Sequence, residues 1–244
     1  MSGLVAGATS TILPGSAGAA SSIRSNKPYA EAQLLKLSDL PHGWTKSGEP
    51  WVGTSGDDNS GSMFTMTQIP DFSTCLDQPL SLSVVAAEAG SPDFYPKNGP
   101  TDVWDVADVY TTASEAKSDF PPFHNPNLAK CFLQSQRSFI TSNDKSNWPP
   151  GSTLGTPIAS VAHFQRYGDQ SGLLEVQVPV TLPKGKGATD DFLVALVIRQ
   201  GRSVAELFID QGGTSPSAAL TESLAKALVA GMKAPPPGNT IIAA

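Results

Sequence analysis

LLEVQVPVTL (residues 173–182), FLVALVIR (192–199) and RSVAELFID (202–210) decide the fold of this chain. In the first stretch Leu174, Val176, Val178, Val180 and Leu182 alternate with Glu175, Gln177 and Thr181, the pattern of a strand with one dry and one wet face. The dry set is expected to face the helices. The second stretch is apolar on both sides from Phe192 to Ile198, so it belongs at the centre of a sheet. Arg199-Gln200-Gly201-Arg202 reads as a tight hairpin into the third stretch, with Gly201 supplying the positive φ. Pro157 to Tyr167 is a further strand candidate. Connections this short imply an antiparallel meander, because parallel pairs need crossovers of roughly a dozen residues. After the meander, Ser215 caps and Pro216 opens a helix whose Leu220, Leu224, Leu228 and Met232 recur every four residues. The expected class is α+β: an antiparallel sheet of about five strands packed against helices on one face.

Towards the amino end the elements are shorter. Pro28 to Leu37 reads as a helix with Ala30, Leu34 and Leu37 on one face, stopped by Ser38-Asp39-Leu40-Pro41 and followed by a Gly43-Trp44 turn. Ser47 to Gly61 is Gly/Ser/Asp/Pro-rich loop, Met63 to Gln68 a weak strand, and Leu80 to Ala89 an apolar stretch. Thr101 to Thr111, rich in Val, Trp and Tyr, is a strand. Thr112 with Glu115 three residues on matches a capping box, and Pro121-Pro122 ends the helix it starts. A second helix begins at Asn125-Pro126, with Leu128, Cys131, Phe132, Ser135 and Phe139 on one face. Residues 1–27 read as a flexible leader or a truncated signal peptide: a weakly apolar Leu4–Ala20 stretch precedes small residues, but no basic residue lies before Leu4. A single domain then covers 28–233, and 234–244 is a Pro-rich tail that stops the last helix.

The chain is 244 residues long with 16 Lys+Arg against 22 Asp+Glu, a formal charge of −6. Scattered basic residues on an acidic chain argue against a nucleic-acid partner. No apolar run reaches the roughly 18 residues a membrane helix needs. Cys75 and Cys131 are the two cysteines, and their residues alone leave two fates open. Buried free thiols are common; a disulfide is favoured if the chain is exported, where closing the intervening loop would stabilise it by about 4 kcal/mol.

Catalytic signals are weak. His42, His124 and His163 have no ligand partner at metal-binding spacing. Gly168-Asp-Gln-Ser-Gly172 has the residue types of a nucleophile elbow at the wrong spacing. Asp102, Asp105 and Asp108 recur at threes on a strand, so they alternate between faces and read as no site. Asp57 to Gly61 mimics the start of a calcium loop, but Gln68 stands where a bidentate Glu is needed. No phosphate loop or dinucleotide fingerprint is present, and neither an enzyme nor a cofactor is expected.

Leu34-Leu-Lys-Leu-Ser-Asp-Leu-Pro-His-Gly-Trp44, Cys75, Asp108-Val-Tyr-Thr-Thr-Ala-Ser-Glu-Ala116, Leu128-Ala-Lys-Cys-Phe132 and Asp191 to Phe208 occur in an order and spacing that resembles an actinobacterial exported sensor-like domain family. That family comprises mycobacterial-type lipoproteins and the extracellular sensor domain of the PknH kinase. The resemblance implies a secreted or cell-envelope location, an antiparallel sheet backed by helices with a ligand cleft, and pairing of Cys75 with Cys131. There are departures: the chain has no lipobox cysteine, no kinase, and none of the additional cysteines of the kinase-linked domain.

The expected function is an exported, non-catalytic domain that binds a small apolar or amphipathic envelope molecule between sheet and helices. The alternative is a structural or protein-interaction domain of the envelope. Trp44, Trp104, Tyr110, Phe164 and Phe208 are the candidate cleft residues, with ordinary core packing as their competing role. The site was expected beside the terminal helix of Leu220, Leu224 and Leu228, with Trp44 at its rim.

Overall fold

The computed structural model describes residues 26–53, 74–77, 85–134 and 148–234. In chain order these form α1 (residues 26–32), β1 (Trp44–Ser47), β2 (Trp51–Gly53), α2 (residues 74–76), β3 (Val85–Gly90), β4 (Asp93–Pro96) and β5 (Thr101–Tyr110). Then come α3 (Ala113–Asp119), α4 (residues 128–134), β6 (Thr153–Leu154), β7 (Ile158–Ala162), β8 (Gln170–Thr181), β9 (Ala188–Gln200), β10 (Ser203–Gly212) and α5 (Ala218–Lys233). The leader up to residue 25, the Met63–Gln68 strand, the Asp57–Gly61 motif, Ser135, Phe139 and the tail from residue 235 lie outside the described residues.

The α+β class, the antiparallel sheet and the Cys75–Cys131 bond are all present. The sheet is larger than expected: ten strands among the described residues, ordered β1-β4-β5-β10-β9-β8-β6, with β3 also on β5, β2 on β3, and β7 on β8. The long strands are those whose alternation is legible. β1 to β4 are three to six residues long, too short for period two to stand out; β3 and β4 pair with β5, and β2 and β1 pair in turn with them.

Register follows from the hydrophobic pattern. Leu174 lies opposite Ala195, and Leu207 opposite Leu196, so like faces meet across β8, β9 and β10. Gly201 closes the β9–β10 hairpin at φ 60°, as the sequence requires. Asp169 fixes that turn from the side by accepting from the Gly201 amide at 2.8 Å and from Arg199 at 3.1 Å.

Because β9 is apolar on both sides, the sheet needs cover on both, and helices occur on both faces rather than one. On the first face α5 lays Leu224, Ala225, Leu228 and Met232 against Val194, Leu196, Ile198, Ala205, Leu207 and Ile209. On the second face α2 and α4 bring Leu76, Leu128, Cys131 and Phe132 against Leu174, Val176, Val178, Ala195 and Phe208. The alternation in β8 is as expected from Leu174 to Val180, Leu182 falls half-buried just past the strand end, and the helix that the dry side meets is α4. Farther along this face, Ala116 of α3 packs with Val85, Tyr110, Val197 and Val204.

Three boundaries differ from expectation. α1 ends at residue 32 and Leu37 falls in a separate 3₁₀ turn, 42% exposed, because Ser38 to Pro41 cannot extend the helix. α5 is capped by Ser217, whose side chain accepts from the Leu220 amide at 3.2 Å, two residues after the expected cap. β7 stops at Ala162, and Phe164 to Tyr167 continue as irregular chain. The Thr112–Glu115 capping box forms as read.

Candidate functional site

An apolar groove of about 620 Å³ lies between α1, the 3₁₀ turn that follows it, and the short strands at the β1–β4 edge. Sequence explains why it exists. α1 contributes Pro28, Glu31 and Ala32 to the wall and breaks off, and the chain that follows it adds Leu34 and Leu35. Opposite stand Pro50, Pro92 and Phe94, the prolines lying in connections that cannot donate ladder hydrogen bonds. Phe94 and Leu35 are buried at the floor and belong to the core under α5. Leu37 stands at the mouth. Apart from Glu31, Lys36 and Lys46 the lining is apolar.

A buried carboxylate anchors the back of this groove. Asp105 is fully buried, and both its oxygens accept from the Leu35 amide at 3.3 Å. Burial drives its pKa to about 7, against the opposing hydrogen bonds from Ser91 and Leu35. Asp105 lies on the α5 side of β5, whereas Asp102 and Asp108 lie on the other, so the three alternate as expected. Asp102 borders a second, smaller cavity.

The candidate cleft residues occupy three places. Trp44, half-buried at the start of β1, packs on the edge of the core under α5. Phe164 reaches the same core, its ring 5.3 Å from that of Tyr167. Trp104 and Phe208 stack on the opposite face with centroids 5.1 Å apart. Tyr110 is buried farther along that face, near α3. None of the five lines the groove, and Leu224 and Leu228 are sealed in the core.

Sequence reasoning also missed a set of acids on the second face. Glu88, Asp108, Asp119 and Glu206 are all buried there beside Tyr110. Glu88 and Asp108 are directly opposite in register. Burial raises the Asp108 pKa well above the usual range, and the charges of Glu88 and Asp119 raise it further. Burial, followed by the charges of Asp108, Asp119 and Glu206, likewise raises Tyr110. The sequence signal was a lone acid among apolar neighbours, Glu88 in β3, Asp108 in β5 and Glu206 in β10.

The weak catalytic motifs have structural places. His42, His124 and His163 are exposed and far apart in sequence elements. The Ser171 hydroxyl accepts from the Tyr167 amide at 2.9 Å, holding the bend before β8. Among the described residues no group of three His, Cys, Asp or Glu side chains is placed to hold a metal ion, and no helix is long and apolar enough to cross a membrane.

No protein-family model matches the chain, and no curated protein matches it. Among solved structures, the extracellular domain of PknH from Mycobacterium tuberculosis matches at 16% identity with a TM-score of 0.40, over 84% of this chain and 95% of that one. This is a distant structural relationship.

Proposed function

We propose that this chain is an extracytoplasmic, non-catalytic binding domain whose groove beside α1 takes a small apolar or amphipathic molecule. The observation that carries the reading is the groove itself. Its 620 Å³ falls within the range of small-molecule sites, and its wall is apolar with a few charged groups at the border. The Cys75–Cys131 bond supports an oxidising compartment, since such bonds persist in exported proteins and are rare in the cytosol. The ordered motifs quoted above support the same location. Lys36 and Lys46 suit a ligand with an anionic head and an apolar body.

A second reading, a structural or protein-interaction domain of the envelope, has one feature in its favour. β7 pairs with β8 alone among the described residues, and it exposes Ile158 and Val161 beside an open edge.

Titration of the full chain with a dansylated medium-chain fatty acid separates the two. Saturable fluorescence enhancement is expected, weakened at least tenfold by Leu37→Glu at the mouth and by Ala32→Trp, which fills the groove. Binding unaffected by both variants would place the site elsewhere. No saturable binding at all would leave the interaction reading standing.

A further inference from the structure

One residue, Asp105, joins the two walls of the apolar groove from behind. On one side its carboxylate accepts from the Leu35 amide, 3.3 Å from each oxygen, and Leu34 and Leu35 line the groove. On the other side its main chain exchanges two hydrogen bonds with Ser91. The Asp105 amide donates to the Ser91 hydroxyl at 2.9 Å, and the Ser91 amide donates to the Asp105 carbonyl at 2.9 Å. Ser91 precedes Pro92, which stands in the opposite wall. The two ties differ in kind. The Ser91 tie runs between main chains at the edge of the sheet. Leu35 lies between α1 and the 3₁₀ turn Leu37–Asp39, and among the described residues its amide has no main-chain acceptor. That wall is held to the sheet by the carboxylate.

The surroundings of Asp105 favour its neutral form. It is fully buried, and the charge that bears on it is Asp39 of the 3₁₀ turn, of the same sign. On α1, Glu31 is exposed, Lys27 is half-buried, and the Tyr29 hydroxyl donates to the Met232 carbonyl. Lys36 and Lys46 stand exposed at the groove border, as does Asp93 on β4. α5 covers this face with apolar side chains; its Glu222 and Lys226 pair with each other and Lys233 is exposed. β10 sets Leu207 opposite Asp105, and Glu88, Asp108, Asp119 and Glu206 lie on the other face. Burial brings the titration of Asp105 to about pH 7.

An ionised carboxylate at this depth, without a cation beside it, is relieved by admitting water. The strands close the Ser91 side, so the wall that yields is the Leu35 segment. Neutral Asp105 lets that segment close and completes the apolar wall, whereas ionised Asp105 is solvated at the expense of it. An apolar ligand meets Leu34 and Leu35 in full only in the closed arrangement, which is the differential contact that coupling requires.

We propose that protonation of Asp105 gates the groove, which holds its ligand while Asp105 is neutral and releases it when Asp105 ionises. This deepens the reading of the groove as the binding site and rests on it.

The test is a fluorescence titration of the full chain with a dansylated medium-chain alkyl sulfonate, whose head stays ionised throughout, from pH 5.5 to 8.5. Expected is an affinity that falls at least fivefold between pH 6 and pH 8 in the parent and stays within twofold in Asp105→Asn. Reciprocity supplies a readout that needs no variant of Asp105. Saturating probe should raise the midpoint of the Asp105 carboxyl ¹³C resonance by about 0.7 pH unit or more, the counterpart of a fivefold coupling. Ala32→Trp and Leu37→Glu report separately on whether the probe sits in the groove. Binding that both of these weaken, with the same pH response in parent and Asp105→Asn or with an unmoved carboxyl midpoint, would overturn the gate and leave the groove standing. Absence of saturable binding at every pH would overturn the groove, and the gate with it.

Discussion

The two faces of the sheet are closed by different means. On one, the 16-residue helix α5 supplies a continuous ridge of Leu224, Leu228 and Met232, needs no covalent tie, and leaves its neighbour α1 to stop short and open a groove. On the other, the described cover comes from α2 and α4, two segments distant in sequence that are joined covalently. That side carries the disulfide, with Cys131 fully buried and Cα atoms 5.6 Å apart. It also carries most of the buried acids. One face is thus held by packing along a single amphipathic helix, the other by a covalent tie between distant segments, and the tied side carries most of the buried acids.

The most direct way to break this contrast is to remove the staple. Replacing Cys75 and Cys131 together by Ala is expected to cost about 4 kcal/mol, from the loop entropy released in the unfolded chain. Hydrogen exchange should then quicken first in α4 and on the facing residues of β8, while α5 keeps its protection. Uniform loss of protection across both faces would show that they do not differ in this way.

The acids give a second, slightly smaller handle. Asp105 is the buried carboxylate on the helical face, and its folded pKa of about 7 lies above its ordinary value near 3.8. A raised folded pKa means that the native state holds its proton longer than the unfolded chain does. Stability from this group is therefore full below about pH 4 and is lost as pH rises through about 7. Asp105→Asn removes that slope, keeps an oxygen for the Leu35 amide, and is expected to be roughly 3 kcal/mol more stable than the parent at pH 8, with little difference at pH 4. Asp108 leaves a residual slope of the same sign in both proteins. Melting temperatures across pH 4 to 8 check this, and parallel curves for the two proteins would show that Asp105 is not the titrating group.

How much of this was legible in the sequence depends on the length over which a pattern ran. β8, β9, β10 and α5 declare themselves because period two or four persists for ten or more residues. Thr112 and Glu115 announce their cap because the chemistry is local. The short strands β1 to β4 do not, since three to six residues of mixed polarity are specified by what they pair with. The site was harder. Tryptophans drew attention as cleft candidates, but Trp104 and Phe208 are stacked in the core. The groove is lined by prolines and small aliphatics that carry no signal of their own. Leu35 and Asp105 meet across 70 positions of chain, a proximity that only the folded sheet creates.

Register on the stapled face is tested by a smaller effect. Val178, 2% exposed, packs against α2 and α4, while its neighbour Gln177 is half-buried on the opposite side. Val178→Ala is expected to cost roughly 1–3 kcal/mol and Gln177→Ala under about 0.5. Chemical denaturation measures both, and equal losses would mean that β8 is shifted by one residue.

The smallest expected effect concerns Trp44, whose role the sequence left between a core plug and the rim of a binding cleft. A plug would lose about 3–5 kcal/mol on truncation to Ala, because a fully buried indole leaves a large cavity. Trp44 is only half-buried, however, and sits on the margin of the core under α5, at the outermost strand of the sheet, where neighbouring side chains and water can close over a gap. The expected loss for Trp44→Ala is therefore about 1–2 kcal/mol, the share of the burial term that a half-covered ring contributes. Nor does it line the groove, so the dansylated fatty acid should bind the variant with unchanged affinity. The two measurements bear on different faults in the picture. A loss above 3 kcal/mol would make β1 part of the central core rather than its margin. Unchanged stability with binding weakened tenfold would extend the groove past Lys46 to the first turn, and would join the helical face into one continuous binding surface.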